Sequence, residues 1–119
     1  MKVLICEDDE IMLKVIEAAL LGEKVQATYV SDGKQALEQL TNNNFDVVIT
    51  DIHMPFHNGD EIIRFVRDEL KKKIPIIIVS SDNEEEVVTM ALQSGATDFI
   101  TKPIDPIKLN KKLKKYVGK

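Results

Sequence analysis

The sequence predicts one α/β domain, a single doubly wound five-stranded parallel sheet with helices on both faces. Three observations predict it. Extended segments alternate with helix-period segments five times over. Three of the extended segments are unbroken apolar runs, the pattern of strands covered on both faces. The connections are short, with no linker, repeat or low-complexity tract, and such alternation builds a parallel sheet. A length of 119 residues holds one domain of this kind, over 1–119, and leaves no room for a second.

The first strand is read at 3–6, Val3-Leu4-Ile5-Cys6, and a looser apolar pattern from Ile11 to Leu21 is the first helix, with Gly22 as its stop. Residues 24–30 mix polar and apolar side chains, as suits a less protected second strand, and 34–40 form the second helix. Val47-Val48-Ile49 is the third strand. Ile62, Ile63, Val66 and Leu70 recur at the spacing of one helix face, and Gly59 opens that third helix after the turn residues around Asn58. Ile76-Ile77-Ile78-Val79 is the fourth strand. A fourth helix around 87–92 follows, with Asp82 and Glu85 as a capping box and Gly95 as its stop. Residues 97–101 are the mixed fifth strand. Asp105-Pro106 then places a capping acid before a proline at the first helical position, and Leu109, Leu113, Tyr116 and Val117 form the last helical stripe.

The fully apolar strands should be central, leaving the second and fifth at the edges. Order 2-1-3-4-5 satisfies this with right-handed crossovers and resembles the flavodoxin-like three-layer α/β/α arrangement. The chain reverses direction between strands one and three, so a crevice should open at their carboxyl ends.

Composition narrows the function classes. Hydrophobic residues at 44% and charged residues at 30% exclude a disordered chain. Sixteen Lys+Arg against 20 Asp+Glu, a net charge of −4, with few aromatics, makes a poor nucleic-acid binder. The lone Cys6 excludes an internal disulfide framework, no stretch approaches a membrane span, and Met1-Lys2 runs into an apolar strand with no cleavage region. The expected location is cytoplasmic, without membrane or direct nucleic-acid contact. The charge is uneven: from Lys102 onward seven lysines face one acid, Asp105, a local +6 that leaves −10 on the first 101 residues.

The strand ends carry the chemistry. Strand one runs into Glu7-Asp8-Asp9-Glu10, strand three into Thr50-Asp51, strand four into Ser80-Ser81-Asp82 and strand five into Thr101-Lys102-Pro103. Carboxylates gathered in a crevice are costly to ionise without a cation. A hard divalent ion such as Mg²⁺ takes carboxylate, phosphate and water oxygens and relieves that cost. Metal, lysine and hydroxyl around one carboxylate suit phosphoryl transfer to that carboxylate, giving an aspartyl phosphate.

With these pieces in order on five strand–helix units, the chain resembles a response-regulator receiver domain of two-component signalling over essentially its whole length. The matching pieces are residues 3–9, Asp51-Ile52-His53-Met54-Pro55 with Gly59, Ser80, and Lys102-Pro103. The resemblance implies that Asp51 is the phosphoacceptor and that Glu7 and Asp8 bind Mg²⁺ with it, Asp8 directly and Glu7 through water. It implies that the His53 backbone carbonyl is a metal ligand, that Ser80 bonds the phosphoryl group and that Lys102 pairs with it. It also implies a cis Lys102–Pro103 bond, a switch role for Phe99, and an influence of positions 53 and 82 on phosphate lifetime. The implied partners are a sensor histidine kinase or histidine phosphotransfer protein upstream, and a downstream protein or a missing effector domain past Lys119. The domain is then a switch that catalyses its own transfer and slow hydrolysis, and not an enzyme in the ordinary sense.

Plainer readings compete. Asp9 and Glu10 serve as capping and dipole partners of the first helix. Ser80 and Ser81 could simply cap the fourth helix, but Asp82 does that better, which leaves Ser80 for phosphate. His53 and His57 lie in a proline-containing loop, which is a poor zinc site. Lys108, Lys111, Lys112, Lys114 and Lys115 form either a solvated face or a partner surface, which Glu84-Glu85-Glu86 of a second copy would complement in a phosphorylation-dependent homodimer. A haloacid-dehalogenase-type phosphatase also uses an Asp after a strand, but it places a second Asp where His53 stands. A flavodoxin-like module that never accepts phosphate has no use for Glu7, Asp8, Asp51, Ser80 and Lys102 together.

Overall fold

A computed structural model describes residues 1–81 and 84–116. Five strands form one parallel sheet: β1 (Lys2–Cys6), β2 (Gln26–Val30), β3 (Val47–Asp51), β4 (Ile76–Ser80) and β5 (Asp98–Thr101). Their order is 2-1-3-4-5, with β1, β3 and β4 inside and the two mixed strands at the edges. The predicted order holds because only the fully apolar strands tolerate cover on both faces.

The pleat divides the core in two. Val3 and Ile5 of β1, Val47 and Ile49 of β3, and Ile77 and Val79 of β4 face Ile16 and Leu20 of α1 (Glu10–Leu20) and Leu109 and Leu113 of α5 (Pro106–Tyr116). Leu4, Val48, Ile76 and Ile78 point the other way. They pack on Ala36 and Leu40 of α2 (Gly33–Asn42), Ile62 and Ile63 of α3 (Gly59–Arg64) and Ala91 of α4 (Glu85–Ser94). Cys6 belongs to this second layer, where burial pushes its thiol up to about 12 and leaves it unreactive.

Several bounds differ from expectation. The second strand begins at Gln26, and residues 24 and 25 precede it. β3 and β4 extend beyond their apolar runs to Asp51 and Ser80, because their last backbone groups still pair with neighbouring strands. The third helix is not one regular stripe: α3 gives way to a π-helical turn, Phe65–Glu69. From that turn Arg67 donates to the carbonyls of Gly95 (3.0 Å), Lys72 (2.9 Å) and Ile74 (2.8 Å).

The expected caps at Asp9 and Asp105 are present, with Asp9 Oδ1 accepting from Ile11 N–H (2.8 Å) and Asp105 Oδ1 from Ile107 N–H (2.9 Å). Gly22 and Gly95 follow α1 and α4 with φ of 84° and 124°. The capping box assigned to Asp82 and the last stripe position, Val117, lie outside the described residues. Among the described residues no helix is long and apolar enough to cross a membrane.

Candidate functional site

The site lies at the carboxyl ends of β1, β3, β4 and β5. β1 is apolar from Val3 to Cys6, and β3 and β4 are apolar until their last residue or two, whereas the mixed β5 carries Asp98 at its start and Thr101 at its end. β1 delivers Glu7, which is 1% exposed, and the exposed Asp8 beside it. β3 ends in Asp51, buried at 5% exposure. The carboxylate oxygens of Glu7, Asp8 and Asp51 come within 4.8 Å of one another.

Lys102, just past β5, reaches into this cluster. Its Nζ donates to Asp51 Oδ2 (2.7 Å) and lies 3.4 Å from Glu7 Oε1. Burial pulls the ammonium pKa down, but Asp51 and Glu7 outweigh it and hold the group above its ordinary value. The other Asp51 oxygen, Oδ1, accepts from His53 N–H (3.0 Å). Glu7 Oε2 accepts from Asp9 N–H (3.1 Å), whereas Glu7 Oε1 is buried with no hydrogen-bond partner. Burial, reinforced by the adjacent Asp51 carboxylate, raises the Glu7 pKa to about 7. Three carboxylates, one with an orphaned buried oxygen, are a donor set that fits a hard divalent cation such as Mg²⁺.

Ser80 ends β4 at 2% exposure, and its carbonyl accepts from Lys102 N–H (2.7 Å), which ties the ends of β4 and β5 together. Ser80 also borders a cavity of about 460 Å³ between α4 and β5, lined by Val88, Leu92, Phe99 and Thr101. Phe99, on edge strand β5, is 38% exposed. The Lys102–Pro103 peptide bond is cis.

The loop after Asp51 is shaped by two glycines. Gly59 N–H donates to Ile52 O (3.0 Å), and a Cβ there would stand 2.9 Å from both Asp51 O and Ile52 Cα. Gly33, at the start of α2, donates to Pro55 O (2.9 Å), and a Cβ on it would meet His57 O at 2.1 Å. Between these supports, Phe56 takes a φ of 69° in a three-residue turn closed by His57 N–H to Pro55 O (2.9 Å). The two histidines diverge: His57 Nδ1 pairs with Glu61 (2.8 Å), while His53 Nε2 pairs with Glu84. Among the described residues neither joins a group of three or more metal-ligating side chains.

All six predicted site residues (Glu7, Asp8, Asp51, His53, Ser80 and Lys102) therefore lie on one end of the sheet. Lys102 bonds Asp51 directly, and the Ser80 carbonyl meets the Lys102 backbone. Sequence reading missed Gly33, whose contact with His57 has no local signal. It also missed Glu84 on the rim of the site. A signal for Glu84 existed: Ser81-x-x-Glu84 is the capping-box spacing, one residue ahead of the Asp82–Glu85 assignment, and Glu84 Oε1 does accept from Ser81 N–H (2.7 Å).

Comparison with known proteins yields one family. The family described as Response regulator receiver domain matches residues 3–114. Two-component response regulator ORR11 of Oryza sativa subsp. indica is 38% identical over 106 residues, covering 87% of this chain and 72% of that protein. Two-component response regulator ORR21 of the same subspecies is 36% identical over 106 residues, covering 87% of this chain but only 15% of that much longer protein. Among solved structures, the receiver domain of sensor histidine kinase PA1611 from Pseudomonas aeruginosa PAO1 is similar with a TM-score of 0.87 at 28% identity, covering 99% of this chain and 98% of that one. That structure holds a magnesium ion coordinated in its active site cleft.

Proposed function

The chain belongs to the response regulator receiver domain family of two-component signalling, and we propose that Asp51 is its phosphoacceptor, taking a phosphoryl group from a phosphohistidine. The observation that carries this is the Asp51 carboxylate, buried at the end of a central strand, held at 2.7 Å by Lys102 within a trio of acids. The donor is the phosphohistidine of a sensor histidine kinase or a histidine phosphotransfer protein. The output goes to a downstream protein or effector domain, or to a second phosphorylated copy.

Asp51 Oδ2, or Oδ1 once His53 N–H yields it, attacks phosphorus in line with the departing imidazole nitrogen. The P–O bond forms as the P–N bond breaks. Lys102, 2.7 Å from Asp51 Oδ2, positions the attacking carboxylate and then follows the transferred oxygens. The Ser80 hydroxyl supplies a hydrogen bond from the opposite wall. Glu7, Asp8, Asp51 and the His53 carbonyl would hold Mg²⁺, which when bound supplies positive charge beside the equatorial oxygens. Drawing Ser80 inward enlarges the room beside Val88 and Leu92, into which Phe99 can turn, and this biases the α4–β5–α5 face.

Incubation with acetyl phosphate and Mg²⁺ tests the assignment. The expected result is one phosphoryl mass increment that is lost in Asp51→Asn and abolished by EDTA. A mass gain that survives in Asp51→Asn overturns it, and rapid multiple-turnover release of phosphate would favour a phosphatase instead.

A further inference from the structure

We infer that Glu84 is a positioning residue for phosphoryl transfer, its carboxylate joining the two loops that form opposite walls of the phosphate pocket. The inference rests on Asp51 as phosphoacceptor and adds a residue outside the acid trio, the lysine and the serine. Glu84 stands at the start of α4 beside Glu85 and Glu86, which are exposed. Its own side chain is only 14% exposed, unusual for a surface glutamate unless both oxygens are occupied. Both are. Oε1 accepts from Ser81 N–H (2.7 Å), next to Ser80, and Oε2 pairs with the His53 ring. His53 N–H in turn holds Asp51 Oδ1 (3.0 Å). A continuous series of contacts thus runs from the nucleophile across the mouth of the site to the residue after the hydroxyl donor.

A carboxylate needed only to start α4 would be satisfied by Ser81 alone. The second contact, to a loop from a different strand, has no part in starting a helix. What it does is hold the Asp51 wall and the Ser80 wall at one separation before phosphate arrives, and misplacement of such walls by about 1 Å can cost on the order of a hundredfold in rate. The Ser81 N–H first, and then the His53 ring, hold the Glu84 carboxyl below its usual range.

The test is the rate at which acetyl phosphate phosphorylates the full chain at saturating Mg²⁺, read by intact mass. In that reaction an Asp51 oxygen bonds to phosphorus while the bond from phosphorus to the acetyl oxygen breaks, and acetate leaves with the electron pair. Glu84→Ala should slow the step about tenfold. Glu84→Gln, which keeps an oxygen for Ser81 and a neutral hydrogen bond for His53, should recover most of the rate. His53→Ala should slow it too, and His53→Ala with Glu84→Ala should be no slower than Glu84→Ala alone. Mg²⁺ affinity should stay within about twofold, because the acid trio is untouched and alanine at position 53 keeps the backbone carbonyl. That split between rate and metal binding is one a merely structural role would not produce. His53→Ala leaves the start of α4 intact and carries the test if Glu84→Ala does not fold.

A Glu84→Ala rate within about twofold of the parent overturns the inference, as do losses that multiply in the double variant or a parallel fall in Mg²⁺ binding. Absence of any Mg²⁺-dependent mass gain in the parent chain overturns the Asp51 reading itself, and this inference with it.

Discussion

Glu7 illustrates what a single buried carboxylate costs a folded protein. One of its oxygens has no hydrogen-bond partner, and its pKa stands near 7 against an ordinary 4.5. The folded state therefore binds a proton at Glu7 more tightly than the unfolded state does. Its contribution to stability is fully present below pH 4.5, declines as pH rises, and is lost by pH 7 and above. The shift corresponds to an upper bound of about 3 kcal/mol. In EDTA, Glu7→Gln should thus be more stable than the parent at pH 8 and show no advantage at pH 4.5, with urea midpoints as the measure. Saturating Mg²⁺ at pH 8 should reverse the order, because the parent then recovers a counter-charge that glutamine cannot hold. An advantage of equal size at both pH values would show that the Glu7 charge is not the cause.

At the scale of elements, α3 is placed by a contact that tolerates no side chain. A Cβ at position 59 would stand 2.9 Å from the backbone of Asp51 and Ile52, and backbone cannot move aside as a side chain can. Gly59→Ala should cost about 1–3 kcal/mol, the range for overpacking, and should also slow phosphorylation because the displaced atoms belong to Asp51, the proposed phosphoacceptor. Equal stability and rate in the alanine variant would show that the two elements separate freely. Such contacts mark the limit of what sequence patterns reveal. The strands were legible because unbroken apolar runs such as Ile76-Ile77-Ile78-Val79 have few other uses, and Asp51, Ser80 and Lys102 stood out because they follow those runs. The π-helical turn was not legible: Ile62, Ile63, Val66 and Leu70 fit a regular helix equally well, and Arg67 finds backbone carbonyls whose positions no local pattern encodes. Gly33 resembles any residue at a helix start until the fold brings His57 against it.

Over the whole molecule, the acidic body and basic last helix meet across β5. Of the lysines from position 102 onward, Lys102 turns into the site and Lys112 pairs with Asp98 (2.8 Å), so the basic face is narrower than the charge count implied. Tyr116 also bonds Asp98 (2.7 Å), and α5 is thereby fastened to the start of β5. The α4–β5 corner is fastened as well, since Arg67 donates to Gly95 O (3.0 Å). The elements behind the proposed output face are thus held at the ends remote from Asp51, while their near ends border the cavity beside Ser80 and Phe99. Phosphorylation should therefore move this face unevenly. Amide hydrogen exchange should change at residues 84–90 and 99–105 and stay nearly constant at 91–97 and throughout β1 and β2. Phe99→Ala should still accept phosphate on Asp51 but lose most of the change at 99–105, because no ring is left to enter the cavity. A uniform change along α4 would show that Arg67 does not hold its far end. An undiminished change in Phe99→Ala would show that the signal reaches the face through the Ser80–Lys102 backbone bond without the aromatic ring.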